Sequence, residues 1–199
     1  MKLSKVATIA TVAVALAAGA FAQPARWEID PAHSNVSFAV RHMMVSNVRG
    51  EFTKLAGGLD VVGSDPATAK VSVTIEAASV NTREPKRDDH LRSADFFDVA
   101  KFPTLTFVSK KIASAGDGRL KMTGDLTIHG VTREVTFDVD SLTPPMKDPW
   151  GGTRAGAHAT ATINRKDFGL VWNKALEAGG VLVGEDVTIT IEVELVKKV

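Results

Sequence analysis

The sequence predicts an all-β protein with one domain, either a β-sandwich or an antiparallel barrel. Apolar and polar residues alternate with a period of two in several segments along the chain. Turn residues separate these segments, and helical patterns are short and rare. We count roughly eight to ten predicted strands, a number typical of sandwiches and barrels. Alternation alone does not distinguish these two architectures, because both bury one face of each strand.

The first 22 residues are predicted to be a signal peptide. Lys2 and Lys5 give a positive start, an uncharged apolar stretch covers 6–18, and the small residues Ala20 and Ala22 flank a cleavage pattern before Gln23. The apolar stretch is too short to span a bilayer comfortably. The sequence therefore predicts an exported chain whose mature domain covers 23–199.

Composition excludes several classes of protein. The net charge is +1, and loss of Lys2 and Lys5 brings it to −1. A near-neutral chain without a basic block is not expected to bind nucleic acid, and we find no polybasic amphipathic helix that would hold it on a membrane. The chain has no cysteine. This excludes disulfides and a lipoprotein anchor, so we expect no stable membrane anchor.

The strands of the first half begin at 36–40, where Val36, Phe38 and Val40 alternate with Ser37, Ala39 and Arg41. A second clear strand covers 71–75. A short helical segment is then predicted over 86–99, because Pro85 suits the first turn of a helix and charged residues match its dipole. Phe96 and Phe97 follow, and we expect them to fold onto an apolar surface as a lid. A strand carrying Leu105 and Phe107 comes next.

The second half continues with strands. Residues 128–131, Ile-His-Gly-Val, predict a tight hairpin, since Gly and to a lesser degree His tolerate positive φ. It leads to a strand over 135–139, and the proline-rich stretch 142–152 is predicted to be an exposed loop or strand crossover. A strand with alanines at every second position covers 155–161. A second short helix is considered at 173–178, and the longest alternation covers 187–195.

Five blocks of the chain resemble the YceI family of bacterial periplasmic proteins, in the family's order. They are IDPAHSNVSFAVRHMMVSNVRGEF (29–52), RDDHLRSADFFDVAKFPTLTFVS (87–109), LKMTGDLTIHGVTREVTFDV (120–139), ATINRKDFGLVWN (161–173) and LEAGGVLVGEDVTITIEVEL (176–195). The resemblance favours a barrel over a sandwich. It implies a periplasmic, lipocalin-like antiparallel β-barrel of about eight strands that binds a long polyisoprenoid lipid inside, without catalysis.

The apolar inner face could form a packed core or the wall of a ligand cavity. The alanines at 155, 157, 159 and 161 would leave room inside a small barrel, or they could lie under a helix. Strands of about nine residues at roughly 3.3 Å each would give a tube near 30 Å long. The candidate wall residues are Val36, Phe38, Val40, Phe52, Phe97, Leu105, Phe107, Phe137, Ile163, Phe168, Ile189 and Ile191.

Charged residues in the family-like blocks are candidates for binding the polar head of a lipid. They are Arg41, His42, Arg87, Asp88, His90, Arg92, Arg165 and Asp167. The alternative is a structural ion-pair network that holds the helical segment on the barrel, for example Arg165 with Asp88. Trp172 and Asn173 are expected to close one end of the barrel or to contact the ligand.

The sequence gives little support for a metal, a cofactor or catalysis. The five histidines lack the spacing of a chelating motif, and neither a nucleophile elbow nor a phosphate loop occurs. We therefore expect a non-catalytic protein that carries or stores a long isoprenoid lipid. The alternatives are an enzyme acting on a prenyl lipid head group and a stress-related interaction module with a packed core. A homodimer is compatible with the sequence but is not required by it.

Overall fold

The computed structural model describes residues 23–177 and 179–198, and the predicted signal peptide over 1–22 lies outside the described residues. Twelve strands form one sheet. Their bounds are β1 Ala25–Ile29, β2 Asn35–His42, β3 Ser46–Phe52, β4 Leu55–Val61, β5 Lys70–Glu76, β6 Val80–Asn81, β7 Thr104–Gly116, β8 Arg119–Ile128, β9 Val131–Leu142, β10 Met146–Lys147, β11 Thr153–Asn164 and β12 Val183–Lys197. The described part of the chain has one α-helix, α1, Pro85–Arg92, and 3-10 turns at Pro66–Thr68, Ala77–Ser79 and Arg165–Phe168.

The sheet closes on itself as a barrel of eight strands. The circuit runs β12, β1, β4, β5, β7, β8, β9 and β11, and the pairing of β11 with β12 closes it. That closing ladder is long and antiparallel, from Arg154 opposite Val196 to Asn164 opposite Asp186. The lipocalin-like barrel of about eight strands is therefore confirmed, and the sandwich is excluded.

Strands β2, β3 and β6 continue the sheet beside the first half of β12. β12 pairs with β1 at Ile29–Leu195 and with β2 from Glu192–Asn35 to Val183–His42. β1 and β2 therefore pair with successive parts of the same side of β12, and a bend at 30–34 separates them. The β2–β3 hairpin lies at the end of the barrel where β12 begins.

The predicted tight turn between β8 and β9 is confirmed. His129 has φ 52° and Gly130 has φ 71°, the left-handed values of a two-residue type I′ turn. A Cβ added at Gly130 would lie 2.5 Å from the Phe102 ring. Glycine is therefore required here both for its backbone conformation and for space.

The helical predictions need correction. α1 begins at Pro85 but ends at Arg92, and turns replace the expected helix up to Val99. Ser93 is extended, and its hydroxyl donates to the carbonyl of His90, which satisfies a helix-end carbonyl by another route. Residues 173–177 are not helical. Asn173 there exchanges side-chain hydrogen bonds with the backbone of Val183, and this fixes a hairpin instead.

The loop predicted over 142–152 is largely exposed and holds the short strand β10, which pairs with the start of β11. Within the described residues no helix is long and apolar enough to cross a membrane. The buried apolar residues gather inside the barrel, because one side of each strand in the circuit faces inward. Among them are Phe52, Leu105, Phe107, Leu126, Phe137, Val139, Ile163 and Phe168.

Candidate functional site

The inside of the barrel contains a cavity of about 420 Å³. Its wall is made almost wholly of aliphatic and aromatic side chains from the inward faces of the strands. The few polar wall residues are Ser37, Arg41, His42, Thr82, Arg87, His90, Thr106 and Arg165. A volume of this size is within the usual range for ligand sites. The interior is therefore a cavity with an apolar wall, and not the fully packed core of the alternative interpretation.

The cavity is elongated along the barrel. On β12 the wall includes Val183, Val187, Ile189, Ile191, Val193 and Leu195, which is nearly the whole inward face of that strand. An irregularity between Val183 and Val187 makes these four steps match only two steps of β2, so the wall covers about ten regular steps. At about 3.3 Å each, on a strand tilted by about 40°, they correspond to roughly 25 Å along the barrel axis, somewhat less than the tube length of about 30 Å expected from the alternation pattern.

Small residues provide the space inside. Ala157 and Ala159 line the cavity from β11, opposite Val193 and Ile191 of β12. On β3, a Cβ at Gly50 would come within 2.4 Å of the Phe38 ring, and on β8 a Cβ at Gly124 would come within 2.6 Å of the Phe107 ring. These two glycines let aromatic wall residues lie flat against the sheet. The alanine face thus faces the cavity and is not covered by a helix.

Most of the polar wall residues lie at one end, which we call the polar end. His42 pairs with Val183, and the Arg165 Nε donates to the carbonyl of Gly184 at 2.8 Å. Arg87 and His90 of α1 line the same end. The His90 side chain is 40% exposed although it lines the cavity. The cavity therefore reaches the surface here.

An aromatic cluster lies across the polar end. The His90 ring lies edge-on to Phe96 and Trp172, with centroid separations of 5.0 and 4.8 Å, and Phe96 and Trp172 are 5.3 Å apart. Phe97 contacts Phe52 of β3 at 5.6 Å. His90 Nε2 lies 2.8 Å from a carboxylate oxygen of Asp95. Phe96 and Phe97 thus cover the end of the cavity, as the expected lid would.

Helix α1 is held by hydrogen bonds to the segment before it. The buried Asp88 carboxylate accepts from the Thr82 backbone N–H at 2.8 Å and from its hydroxyl at 2.5 Å. Arg87 donates to Thr82, and Arg92 donates to the carbonyls of Ala78 and Val80, both at 2.8 Å. The role of Asp88 and Arg92 is therefore to anchor α1.

Arg165 is buried and binds backbone carbonyls. It is 3% exposed, and its guanidinium donates to the carbonyls of Gly184, Leu170 and Val183. Burial lowers the pKa of Arg165, although Glu185 nearby opposes that effect. The suggested ion pair between Arg165 and Asp88 is absent, because Arg165 donates to carbonyls of β12 and of Leu170 while Asp88 accepts from Thr82.

The structure brings most of the predicted site residues together. The cavity wall includes Val36, Phe38, Val40, His42, Phe52, Arg87, His90, Phe97, Leu105, Phe107, Phe137, Arg165, Trp172, Ile189 and Ile191, along with Arg41 and Ile163. Phe168 and Asp88 are not in the wall. Phe168 is 1% exposed in the 3-10 turn after β11, where it packs in the core. Arg92 and Asp167 are also outside the wall. Contact with a ligand remains a prediction for every one of these residues.

Sequence reasoning missed wall residues on β8 and β4, namely Leu120, Met122, Leu126, Leu55 and Leu59. The alternation on β8 is a signal that could have found the first three. For β4, two adjacent glycines in LAGGLDV hide the pattern.

A second polar cluster lies near the opposite end of β12. Arg154 donates to carboxylate oxygens of Asp30 at 2.7 Å and Asp148 at 2.9 Å, and also to Glu194. His33 Nδ1 lies 3.0 Å from Asp30. His33 first, and then Arg154, lowers the pKa of Asp30 from 3.8 to about 2. The carboxylates here surround an arginine, which gives the cluster a structural role in joining β11, β12 and the bend after β1.

Comparison with known proteins identifies the family. The YceI-like domain family matches residues 27–195. UPF0312 protein SAS2572 of Staphylococcus aureus (strain MSSA476) is 40% identical over 166 residues, which is 83% of this chain and 94% of that protein.

Two solved structures share the fold. Burkholderia cenocepacia BcnA has a TM-score of 0.70 and 25% identity, covering 83% of this chain and 98% of that one. A polyisoprenoid binding domain from Saccharophagus degradans has a TM-score of 0.61 and 17% identity, covering 85% and 97%. With the family match across nearly all strands of the barrel, this chain belongs to the YceI-like family.

Proposed function

We propose that this protein binds a long-chain isoprenoid lipid, or a similar amphiphile, inside its barrel, and that it carries or stores that lipid in the periplasm without covalent chemistry. The observation that carries the proposal is the elongated apolar cavity enclosed by the closed sheet. Such a wall offers a favourable environment to a hydrocarbon tail and few groups with which to react.

Burial of the tail provides enough free energy for binding. Each buried methylene contributes about 0.8 kcal/mol, so about 20 methylene equivalents give a gross gain of about 16 kcal/mol. Association costs on the order of 8 kcal/mol in lost translational, rotational and conformational freedom. The remaining ~8 kcal/mol corresponds to a Kd near 1 μM without any head-group contact.

The polar end is the site we propose for the head group. Arg41 and His90 line the cavity and are in contact with solvent, so a polar head placed there keeps its hydration. The tail would then extend towards Val193 and Leu195. Arg87 and Trp172 complete this end of the wall and lie beside the proposed head-group site, where the Nε and Nη2 of Arg87 already donate to Thr82.

Two further observations support the proposal. The Saccharophagus degradans domain that shares this fold is named for polyisoprenoid binding. The pattern in residues 1–22 is that of a cleaved export signal, which supports a periplasmic location for a mature domain over 23–199.

Lipid extraction tests the proposal directly. The mature protein is purified gently from the periplasm, extracted with organic solvent and analysed by mass spectrometry. We expect one prenyl lipid per chain, chemically unchanged after long incubation. A protein that carries no lipid and takes up none in vitro would refute binding. Conversion of the lipid that is lost in His90→Ala would instead favour an enzyme.

A further inference from the structure

The turn between β2 and β3 presents an apolar tip to solvent. We define the tip as Met43, Met44 and Val45, whose exposed fractions are 44%, 58% and 77%. None of the three lines the cavity. Isolated exposed apolar residues are ordinary, but three in succession at the end of a projecting hairpin need a physical reason.

The backbone conformation of the tip is unfavourable for methionine. Met43 has φ 50° and Met44 has φ 60°, left-handed values at which Asn and Gly are preferred. Hydrogen bonds hold this conformation, because Met43 N–H donates to the carbonyl of Leu182 and Arg41 Nη2 donates to the carbonyl of Met44, both at 2.9 Å. Turn chemistry therefore does not account for two methionines. Backbone strain of this kind is common at functional positions.

The hairpin that carries the tip also forms the wall of the polar end. Val40, Arg41 and His42, which lead directly into the tip, line the cavity. The apolar tip is thus continuous with the rim of the cavity through which a lipid tail would enter.

The hairpin that carries the tip is positively charged. No acidic residue occurs between Asp30 and Glu51, and Arg41 and Arg49 of the hairpin are both exposed. In the adjacent hairpin, Leu182 N–H donates to the carbonyl of Lys174, and the charge of Lys174 offsets that of Glu177. At the start of β12, Glu185 is paired with Lys166, and Asp186 is exposed. Exposed methionines flanked by arginines suit the interface of a bilayer with anionic head groups.

From these observations we infer that the tip inserts into the surface of an anionic lipid bilayer and places the polar end of the cavity against the membrane, where the protein loads or delivers its ligand. The inference rests on the proposed lipid-binding function and adds the source of the lipid. A second copy of the chain is a poorer occupant, since three side chains are far below the roughly 1,000 Å² that a stable interface needs.

The double variant Met43→Asn/Met44→Gly tests this inference, because it removes the apolar side chains and supplies the residues that the turn prefers. Binding is measured by flotation with vesicles of phosphatidylglycerol and phosphatidylcholine in equal parts. Transfer of a fluorescent polyprenyl lipid is measured from the same vesicles and from detergent micelles. The matched control is Val62→Ser/Val108→Ser, which removes exposed apolar residues elsewhere on the barrel.

We expect the tip variant to keep or raise the Tm and to load normally from micelles, while vesicle binding and transfer from vesicles fall about ten-fold or more. The control should behave as the wild type, and added salt should weaken wild-type binding. Wild-type vesicle binding by the tip variant would overturn the inference. A loss of vesicle binding in Trp150→Ser, at the exposed hairpin at the other end of the barrel, but not in the tip variant would also overturn it. The same holds if the wild type is a dimer and the tip variant becomes a monomer that binds vesicles as the wild type does.

The test separates this inference from the proposed function. If the wild type loads lipid from micelles but does not bind vesicles, and its transfer from vesicles does not depend on the tip, only membrane docking is refuted. Wild-type protein that takes up no lipid even from micelles refutes the lipid-carrier function, and flotation of the unloaded protein still decides whether the tip docks.

Discussion

Substitution of one alanine inside the barrel should shorten the cavity. Ala159 is 5% exposed, lines the cavity and pairs with Ile191 of β12. From Val183 at the polar end, Ile191 lies about two-thirds of the way along the part of β12 that lines the cavity, which ends at Leu195. The ring of Ala159→Phe would therefore block the distal third.

The size of the effect follows from this position. Four residue steps at about 3.3 Å on a strand tilted by about 40° amount to roughly 10 Å along the axis. Excluding on the order of five methylene equivalents of tail from this region costs about 4 kcal/mol. That loss weakens the binding of a long polyprenyl lipid about 1,000-fold, whereas a farnesyl lipid that ends before the block should lose little.

The assay compares the uptake of both lipids by wild type, Ala159→Phe and the control Thr162→Phe. Thr162 is an exposed residue of the same strand that points outward. Thermal unfolding followed by circular dichroism reports the Tm, which we expect to be retained because the ring fills existing space. Ala157→Leu offers a milder block should Ala159→Phe not fold.

Either of two results in a folded variant would contradict a tail that passes Ala159. Undiminished uptake of the long lipid would mean that the tail does not pass Ala159. Equal losses for long and short lipids would mean that the substitution disturbs the entrance or the fold, and not the far part of the cavity.

Substitutions in the cavity wall, in α1 and in the polar cluster around Arg154 should each have a distinct effect. Phe38→Asp should abolish lipid uptake, measured by extraction and mass spectrometry, because it puts a charge in an apolar wall. An intact lipid load in the folded variant would exclude Phe38 from the wall. Arg92→Ala should lower the free energy of unfolding in urea by about 1–3 kcal/mol, since it leaves two backbone carbonyls without their donor, and it should speed lipid release. Unchanged release would show that α1 does not cover the exit. Folding lowers the pKa of Asp30 from 3.8 to about 2. The ionised Asp30 carboxylate therefore stabilises the folded state fully above about pH 4, and this stabilisation is lost as the pH falls to about 2. Arg154→Gln should lower the Tm at pH 7 and flatten that acid-induced loss, as a Tm series over pH would show.

The sequence predicted the inward faces well because a strand has a strict period of two. Phe38, Phe107 and Ile189 alternate with polar neighbours, and each lines the cavity. Closure of the barrel could not be derived in the same way, since it depends on β11 pairing with β12, a non-local register that no local pattern encodes. The resemblance to a known family provided that step.

Two of the candidate residues lie outside the cavity wall, because the local signal that suggested each of them has two physical explanations. Phe168 has the residue type of a wall position, but it sits in a 3-10 turn that directs it into the core. Asp88 has the charge of a ligand contact, but its carboxylate binds Thr82 inside the protein. Residue type predicted burial and polarity correctly in these cases, and only the tertiary structure shows which neighbour satisfies the group.

The distribution of hydrogen bonds indicates how such a barrel would select its ligand. Arg165 donates to three backbone carbonyls, Arg87 donates to Thr82, and Arg92 donates to two carbonyls. Cations at the polar end are thus largely committed to holding the protein together, so their hydrogen bonds add little to discrimination between head groups. The apolar wall, by contrast, extends over roughly 25 Å, and binding gains free energy with each methylene that the wall covers. Selection should therefore depend on the length of the tail more than on the head, and lipids with equal tails and different heads should bind with similar affinity.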